Sequence, residues 1–358
     1  MRRHKFPKIL SNCFELRGKP LAKEPQCPVV RFGHALNLAF TAIDEPQPGE
    51  KWAGLFERLW PAYRQWWLKQ GAEARPTYLQ CRRALSTHMP EILPVYDQLT
   101  ELAGGGDLAA RFLSVYLPPP YMAGCSQAIW AGPEPFLVRN YDYSPDAFDA
   151  VILRTQWLGR RVMGVSDSLI GLLDGINEDG LAVSLTFGGR RVTGEGFGIP
   201  LVLRYVLETC ACVSEAVKVL QRIPCHMAYN VTLLDKSKRY KTVFVSPDRP
   251  AIVTDAAAAT NHQHEVEWPE HALATSSVER ENYLLNRLKR QAWPRNRFIA
   301  AFHRPPLYST KFEQGFGTLY TDVYTPASLK LELKWPGLSW PFDLDDFDEG
   351  VRHIQYGS

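Results

Sequence analysis

Tyr121-Met122-Ala123-Gly124-Cys125-Ser126 marks the point where the chain changes character. Upstream, between about Trp52 and Ala110, apolar residues recur at helical spacing. Trp52, Leu55, Phe56, Leu59 and Trp60 form one set, and Leu85, Met89, Ile92, Leu93, Tyr96 and Leu99 form another. Gly104-Gly105-Gly106 ends that half, and Asp107 stands where it can cap one more short helix reaching Leu113. Pro118-Pro119-Pro120 then forces an extended run, because each ring fixes φ and removes a donor. That run delivers the chain to Gly124-Cys125.

Downstream the period becomes that of strands. Segments 136–143, 150–155, 161–165 and 181–187 are rich in β-formers and separated by Gly, Pro, Asp or Asn. Pro200 opens a helix whose apolar set is Leu201, Val202, Tyr205, Val206 and Cys210. Ser214 is expected to cap a second helix over 215–222, which Pro224 stops. Strands are expected again at 229–234, 239–245 and 251–254, a helix at 279–291, and a closing hairpin at 317–324 and 328–335. Residues 1–50 read as irregular. Strands arrive in blocks without a helix between each pair, which favours antiparallel sheets. Helices outside two such sheets bury both faces of each. The expected fold is therefore α+β, an αββα four-layer sandwich spanning 125–358, with a helical N-terminal segment, 1–124, packed on it.

Composition narrows the function. The 358 residues are 45% apolar and 12% aromatic, enough for a sizeable core. Lys and Arg number 41 against 38 Asp and Glu, a net charge of +3 that is too small for a chain built around phosphate backbones. No nucleic-acid partner is expected. No stretch approaches the ~18 consecutive apolar residues of a membrane helix, and the basic start has no apolar signal region. A cytoplasmic protein with no membrane partner is the expectation. Seven cysteines, at 13, 27, 81, 125, 210, 212 and 225, give an odd count without a small-domain disulfide pattern. Cys210, Cys212 and Cys225 lack a second ligand pair at finger spacing, and His262 with His264 lacks further ligands. Neither a metal nor a cofactor is expected.

Cys125 is the residue with chemistry around it. A nucleophilic thiol needs a base, and no histidine stands near it in sequence; a papain-like pairing with His226 or His262 remains open in space. Another solution draws the base from the residue itself. If the Gly124–Cys125 bond is cut, the new α-amine has a pKa of about 7.7–8.0, suited to taking the thiol proton and returning it to a leaving group. A glycine before the cysteine leaves its carbonyl open to attack. A non-catalytic protein that binds a ligand or another chain is the competing class.

Five motifs then follow in order: Gly124-Cys125; Arg139-Asn140-Tyr141-Asp142; Gly175-Ile176-Asn177-Glu178-Asp179-Gly180-Leu181; Thr260-Asn261-His262; and Ser276-Ser277-Val278-Glu279-Arg280. Together they resemble the N-terminal-nucleophile (Ntn) hydrolases of the penicillin (isopenicillin N) acyltransferase type, relatives of the choloylglycine hydrolases. The likeness spans about 120–340 and is weaker over 52–116. At the start it departs from the family pattern, because a Pro- and Cys-containing insert separates Gly18-Lys19-Pro20 from Phe32-Gly33-His34. The resemblance implies a self-processing amidohydrolase or acyltransferase acting on a small-molecule amide or acyl substrate through a Cys125 thioester. It implies pieces of 124 and 234 residues, α and β fragments of one precursor. Asp142 would orient the new amine, Arg139 would favour the thiolate, and Asn177 would donate to the oxyanion. Asn261 would hold the amine or the substrate carbonyl, and Arg280 would pin Asp142 or nearby carboxylates. Arg139 and Asp142 are three residues apart, so they share a face of their strand only if a bulge intervenes.

Overall fold

The computed structural model describes residues 30–32, 35–289, 293–312 and 316–356. Its frame is two sheets laid face to face. The larger has ten strands. In chain order they are β1 (Val30–Phe32), β2 (Ala35–Asp44), β5 (Val151–Thr155), β6 (Val162–Asp167), β7 (Gly171–Asn177), β8 (Leu181–Phe187), β9 (Tyr229–Asp235), β10 (Tyr240–Val245), β11 (Ile252–Thr254) and β16 (Gly350–Tyr356). The smaller has six, in spatial order β12 (Ala258–Ala259), β3 (Gly124–Trp130), β4 (Phe136–Tyr143), β13 (Gly317–Thr325), β14 (Lys330–Trp335) and β15 (Leu338–Asp343). Pairing is antiparallel except where β2 runs parallel to β5, with Thr41 opposite Val151.

Helices cover both outer faces. On the larger sheet lie α1 (Glu50–Trp67), α2 (Tyr78–His88), α3 (Leu93–Leu102), α4 (Asp107–Leu113), α5 (Ile199–Thr209) and α6 (Val213–Arg222). Trp52 of α1 is buried and donates its indole N–H to the Leu169 carbonyl at 2.7 Å, which seats the helix on the sheet. Thr77 and Gln80 form a capping box that starts α2. α7 (Pro269–Ala274), α8 (Ser277–Lys289) and α9 (Arg295–Ala301) follow β12, and α8 and α9 cover the smaller sheet through Leu284, Phe298 and Ile299. This is the αββα arrangement.

Strand β4 shows why the layers form. Its odd positions, Leu137 and Tyr141, enter the core between the sheets, while Phe136 and Val138 enter the core under α8 and α9. Each buried Leu, Val or Phe contributes about 1.5–3 kcal/mol relative to exposure.

Several expectations need correction. Residues 35–44, read as irregular, form β2, an interior strand of the large sheet with Phe40 and Ala42 in the core. The remainder of 1–50 as far as residue 29, with Gly18-Lys19-Pro20, lies outside the described residues, as do residues 33 and 34. The 124-residue N-terminal segment therefore carries a strand as well as helices. Strands β3, β7, β12, β15 and β16 fall outside the expected strand segments. Asp107 is the first residue of α4 and not its cap, which is Gly106. Ser214 lies inside α6, which follows Cys212 without a side-chain cap. Among the described residues, no helix is long and apolar enough to cross a membrane.

Candidate active site

Cys125 is the second residue of β3 and is fully buried, its side chain in the core between the sheets. Opposite it on β4 stands Tyr141, and opposite Gly124 stands Asp142. Regular alternation along β4 places Arg139 on the same inner face as Cys125, and its Nη2 reaches Cys125 Sγ at 3.4 Å. Burial pushes the Cys125 thiol up, and the Arg139 charge opposes that shift. A second guanidinium nitrogen, Nη1, donates to Asp174 Oδ2 at 2.7 Å. Tyr320 donates to the same oxygen at 2.7 Å, and Tyr324 donates to Oδ1. Arg139 thus spans from a β7 carboxylate to the thiol, with its charge 4.7 Å from the Tyr141 ring centroid. Asp322 faces this group on β13, paired in register with Arg139; neither of its buried oxygens has a hydrogen-bond donor. Burial and the Asp174 charge push its carboxyl well above its ordinary value, against the pull of Arg139.

No bulge occurs between Arg139 and Asp142. The two residues sit on opposite faces of β4 and approach Cys125 from its two sides. The bulge lies in the neighbouring strand β13, between Thr318 and Tyr320. There the Thr318 hydroxyl donates to Asp142 Oδ1 at 2.6 Å. Arg280 Nη1 lies 3.7 Å from Asp142 Oδ2. Burial raises the Asp142 carboxyl to about 6, against the pull of Arg280, Thr318 and Arg139.

Asn261 and Arg280 hold the backbone around Gly124. The backbone N–H of Cys125 donates to Asn261 Oδ1 at 3.0 Å, and Asn261 Nδ2 donates to the Ala123 carbonyl at 3.2 Å. One amide side chain therefore grips both flanks of Gly124. Arg280 donates to the Cys125 carbonyl at 2.6 Å, to Ser126 Oγ at 2.8 Å and to Asn261 Oδ1 at 2.6 Å. Gly124 leaves room for the Phe316 ring, since a Cβ there would lie 2.1 Å from its Cζ and the ring would have to move.

Asn177 is not part of this group. Its Nδ2 donates to the Leu207 and Cys210 carbonyls at 2.9 and 2.7 Å, and its Oδ1 accepts from the N–H groups of Asp179 and Leu181. It closes the β7–β8 turn and ties off the end of α5, so all its capacity is spent away from Cys125. The expected oxyanion role is corrected on that ground. His226 Nδ1 engages the Gly194 carbonyl at 2.6 Å, and His262 engages Ser277 and Glu281; neither ring serves Cys125. Asp174, Thr318, Tyr320 and Asp322 were missed from sequence. An acid inside the otherwise apolar Leu172-Leu173-Asp174 run was the available signal.

Two face-to-face sheets between helical layers, with Cys125 at the start of β3 and Arg139, Asp142 and Asn261 set around it, form the sandwich of the N-terminal-nucleophile hydrolase fold. The model of the acyl-coenzyme A:6-aminopenicillanic acid acyl-transferase family matches residues 130–340, and the chain belongs to that family. No curated protein matches significantly. Among solved structures, the chain is similar to a variant of the conjugated bile acid hydrolase from Clostridium perfringens, at 13% identity and TM-score 0.41, over 66% of this chain and 97% of that one. It is similar to penicillin V acylase from Agrobacterium tumefaciens, at 14% identity and TM-score 0.39, over 64% and 90%. It is also similar to the Caenorhabditis elegans ortholog of N-acylethanolamine-hydrolyzing acid amidase, at 17% identity and TM-score 0.41, over 57% and 93%.

Proposed function

We propose that this chain is a self-processing cysteine Ntn enzyme that cuts its own Gly124–Cys125 bond and then transfers an acyl group from a small-molecule amide. The observation that carries the reading is Asn261, whose side chain holds Ala123 and Cys125 on either side of Gly124. Cys125 Sγ attacks the Gly124 carbonyl carbon; a C–S bond forms, the C–N bond breaks, and the thiol proton moves to the departing Cys125 nitrogen. Water then hydrolyses this thioester, leaving a Gly124 carboxylate and a free Cys125 α-amine beside its own thiol. Asn261 Oδ1 already accepts from that nitrogen and from Arg280, and Asp142, ion-paired with Arg280 at 3.7 Å, supplies the negative charge that balances it.

In turnover the same thiol attacks the substrate amide carbonyl, the α-amine accepts the thiol proton and protonates the departing amine, and water or an acceptor amine releases the acyl group. Arg139 favours the thiolate in both stages. The aromatic helical half, which contributes Trp66 and Tyr121 in contact 6.0 Å apart just upstream of the cleavage point, suits an apolar acyl portion.

Intact-mass analysis tests the reading. Wild type is expected as two pieces of about 14 and 27 kDa, from dividing 40.6 kDa in the ratio of 124 to 234 residues. Cys125→Ala is expected as one unbroken chain without amide turnover. Active wild type that stays unbroken overturns self-processing.

A further inference from the structure

We infer that Glu281, His262 and Ser277 form a positioning chain that holds Asn261, and through it the nitrogen of Cys125, in register for attack. The inference rests on Cys125 as the nucleophile and adds three residues that touch neither it nor its neighbours Arg139 and Asp142.

Two short segments interlock to build the chain. Thr260, Asn261 and His262 leave β12 in succession, and the first two turns of α8 supply Ser277, Arg280 and Glu281. The Asn261 backbone N–H donates to Ser277 Oγ at 2.8 Å. Ser277 Oγ lies 2.8 Å from His262 Nδ1, and His262 Nε2 lies 3.1 Å from Glu281 Oε2. A carboxylate only accepts, so in the neutral ring the proton belongs on Nε2 and Nδ1 is an acceptor. Ser277 therefore donates to Nδ1 and keeps its lone pairs for Asn261. Thr260 fits the same order by donating its hydroxyl to the Ser277 carbonyl at 2.9 Å.

Glu, His and Ser in this sequence of bonds have the connectivity of a hydrolytic triad. The environment of the hydroxyl decides against that use. Ser277 is 0% exposed and its oxygen is occupied by a backbone N–H, so no substrate carbon can approach it. The hydroxyl acts on the backbone of Asn261 instead. Fixing that backbone aims the side chain whose Oδ1 accepts from Cys125 N and Arg280, and whose Nδ2 donates to Ala123. Glu281, a quarter exposed, is the outer end, and Asn261, fully buried, is the inner end.

The test combines kinetics, ring NMR and hydrogen exchange. Ser277→Ala removes the acceptor for Asn261 and is expected to slow self-cleavage and kcat about tenfold or more with KM unchanged, the scale of one lost positioning hydrogen bond. Glu281→Gln keeps an oxygen acceptor and is expected to stay within about twofold of wild type, whereas Glu281→Ala falls between it and Ser277→Ala. Nitrogen-15 spectra of His262 are expected to show the Nε2-protonated tautomer in wild type. A ring protonated on Nδ1, or a Ser277→Ala variant that cleaves and turns over at the wild-type rate, overturns the inference. In the Cys125→Ala background, which keeps the backbone N–H of position 125, Ser277→Ala is expected to speed amide exchange at both Asn261 and position 125; exchange unchanged at position 125 also overturns it. Failure of the nucleophile reading is recognised separately, as wild type that neither cleaves nor turns over while this exchange coupling persists.

Discussion

Arg139 and Asp142 illustrate how two charges three residues apart flank one cysteine without sharing a face, Arg139 reaching the sulfur and Asp142 meeting Thr318 and Arg280 on the other side of the strand. The strand alternates, the thiol lies across from it, and each charge comes around a different side. Their environments also differ. Arg139 is locked by Asp174, so Arg139→Ala strands a buried carboxylate and costs about 3–5 kcal/mol of stability. Arg139→Lys keeps the charge but gives up the fork that spans Asp174 and Sγ. Its expected phenotype is slower alkylation of the Cys125 thiol at neutral pH, read with a small electrophile. Asp142 gives a pH prediction. Its carboxyl titrates at about 6 in the folded protein against 3.8 in the reference state. Self-cleavage is expected to rise with pH across about 6 as the carboxylate ionises, and Asp142→Asn is expected to flatten that limb while lowering the rate. For stability the sign is opposite. Between pH 3.8 and 6 the folded chain binds more protons than the unfolded one, so this residue's contribution is full below the window and lost as pH rises through it. The difference is about 3 kcal/mol at 1.36 kcal/mol per unit. Denaturant titration of Cys125→Ala against the Cys125→Ala, Asp142→Asn double variant checks it.

At the scale of elements, the hairpin of β7 and β8 carries the sharpest revision. Asn177 ties the turn to the end of α5, and Asn177→Ala is expected to lower stability by about 3 kcal/mol while leaving cleavage and turnover of the folded enzyme intact. Thermal unfolding alongside active-site titration separates the two effects; lost turnover at full stability would return Asn177 to the chemistry. Why β8 and β4 were legible and β7 was not has a physical answer. Phe136–Tyr143 and Leu181–Phe187 are rich in β-formers, and their expected bounds coincide with the observed strands. β7 carries Gly171, Asp174 and Gly175, which read as a turn. Its glycine at 175 is there for close approach, because a Cβ would lie 2.7 Å from Leu207 of α5. Its aspartate is there for Arg139. Both reasons are tertiary and leave no periodic trace. Arg139 and Asp142 were legible because charged residues are unusual inside a buried strand; Ser277 and His262 were quoted within motifs, yet their roles depend on which bonds the fold brings together.

On the scale of the whole molecule, β2 matters most. It runs parallel to β5 on one side and antiparallel to β16 on the other, with Phe40 opposite Arg352. All of β2 and α1–α4 precede the proposed cut, while β5 and β16 follow it. The two pieces are therefore expected to travel as one particle of about 41 kDa in native size-exclusion chromatography and to part only in denaturant. Early separation would show that the N-terminal piece is a detachable propeptide. Its Leu36, Leu38 and Phe40 alternate with Asn37, Ala39 and Thr41, a strand signal that the Gly and Pro residues on either side disguise as irregular chain.

An interleaved strand also gives the cut a direction in time. While the polypeptide is continuous, β2 reaches its slot through a tether of fixed length, and its neighbours close over it as a unimolecular event. Once the tether is severed, the slot has to be found by diffusion between two aggregation-prone partners. Unfolded and diluted, the Cys125→Ala chain should regain its shape, whereas mature enzyme treated identically should not. The proposed maturation would then be an irreversible loss of the instructions for assembly, leaving a particle held by its architecture alone.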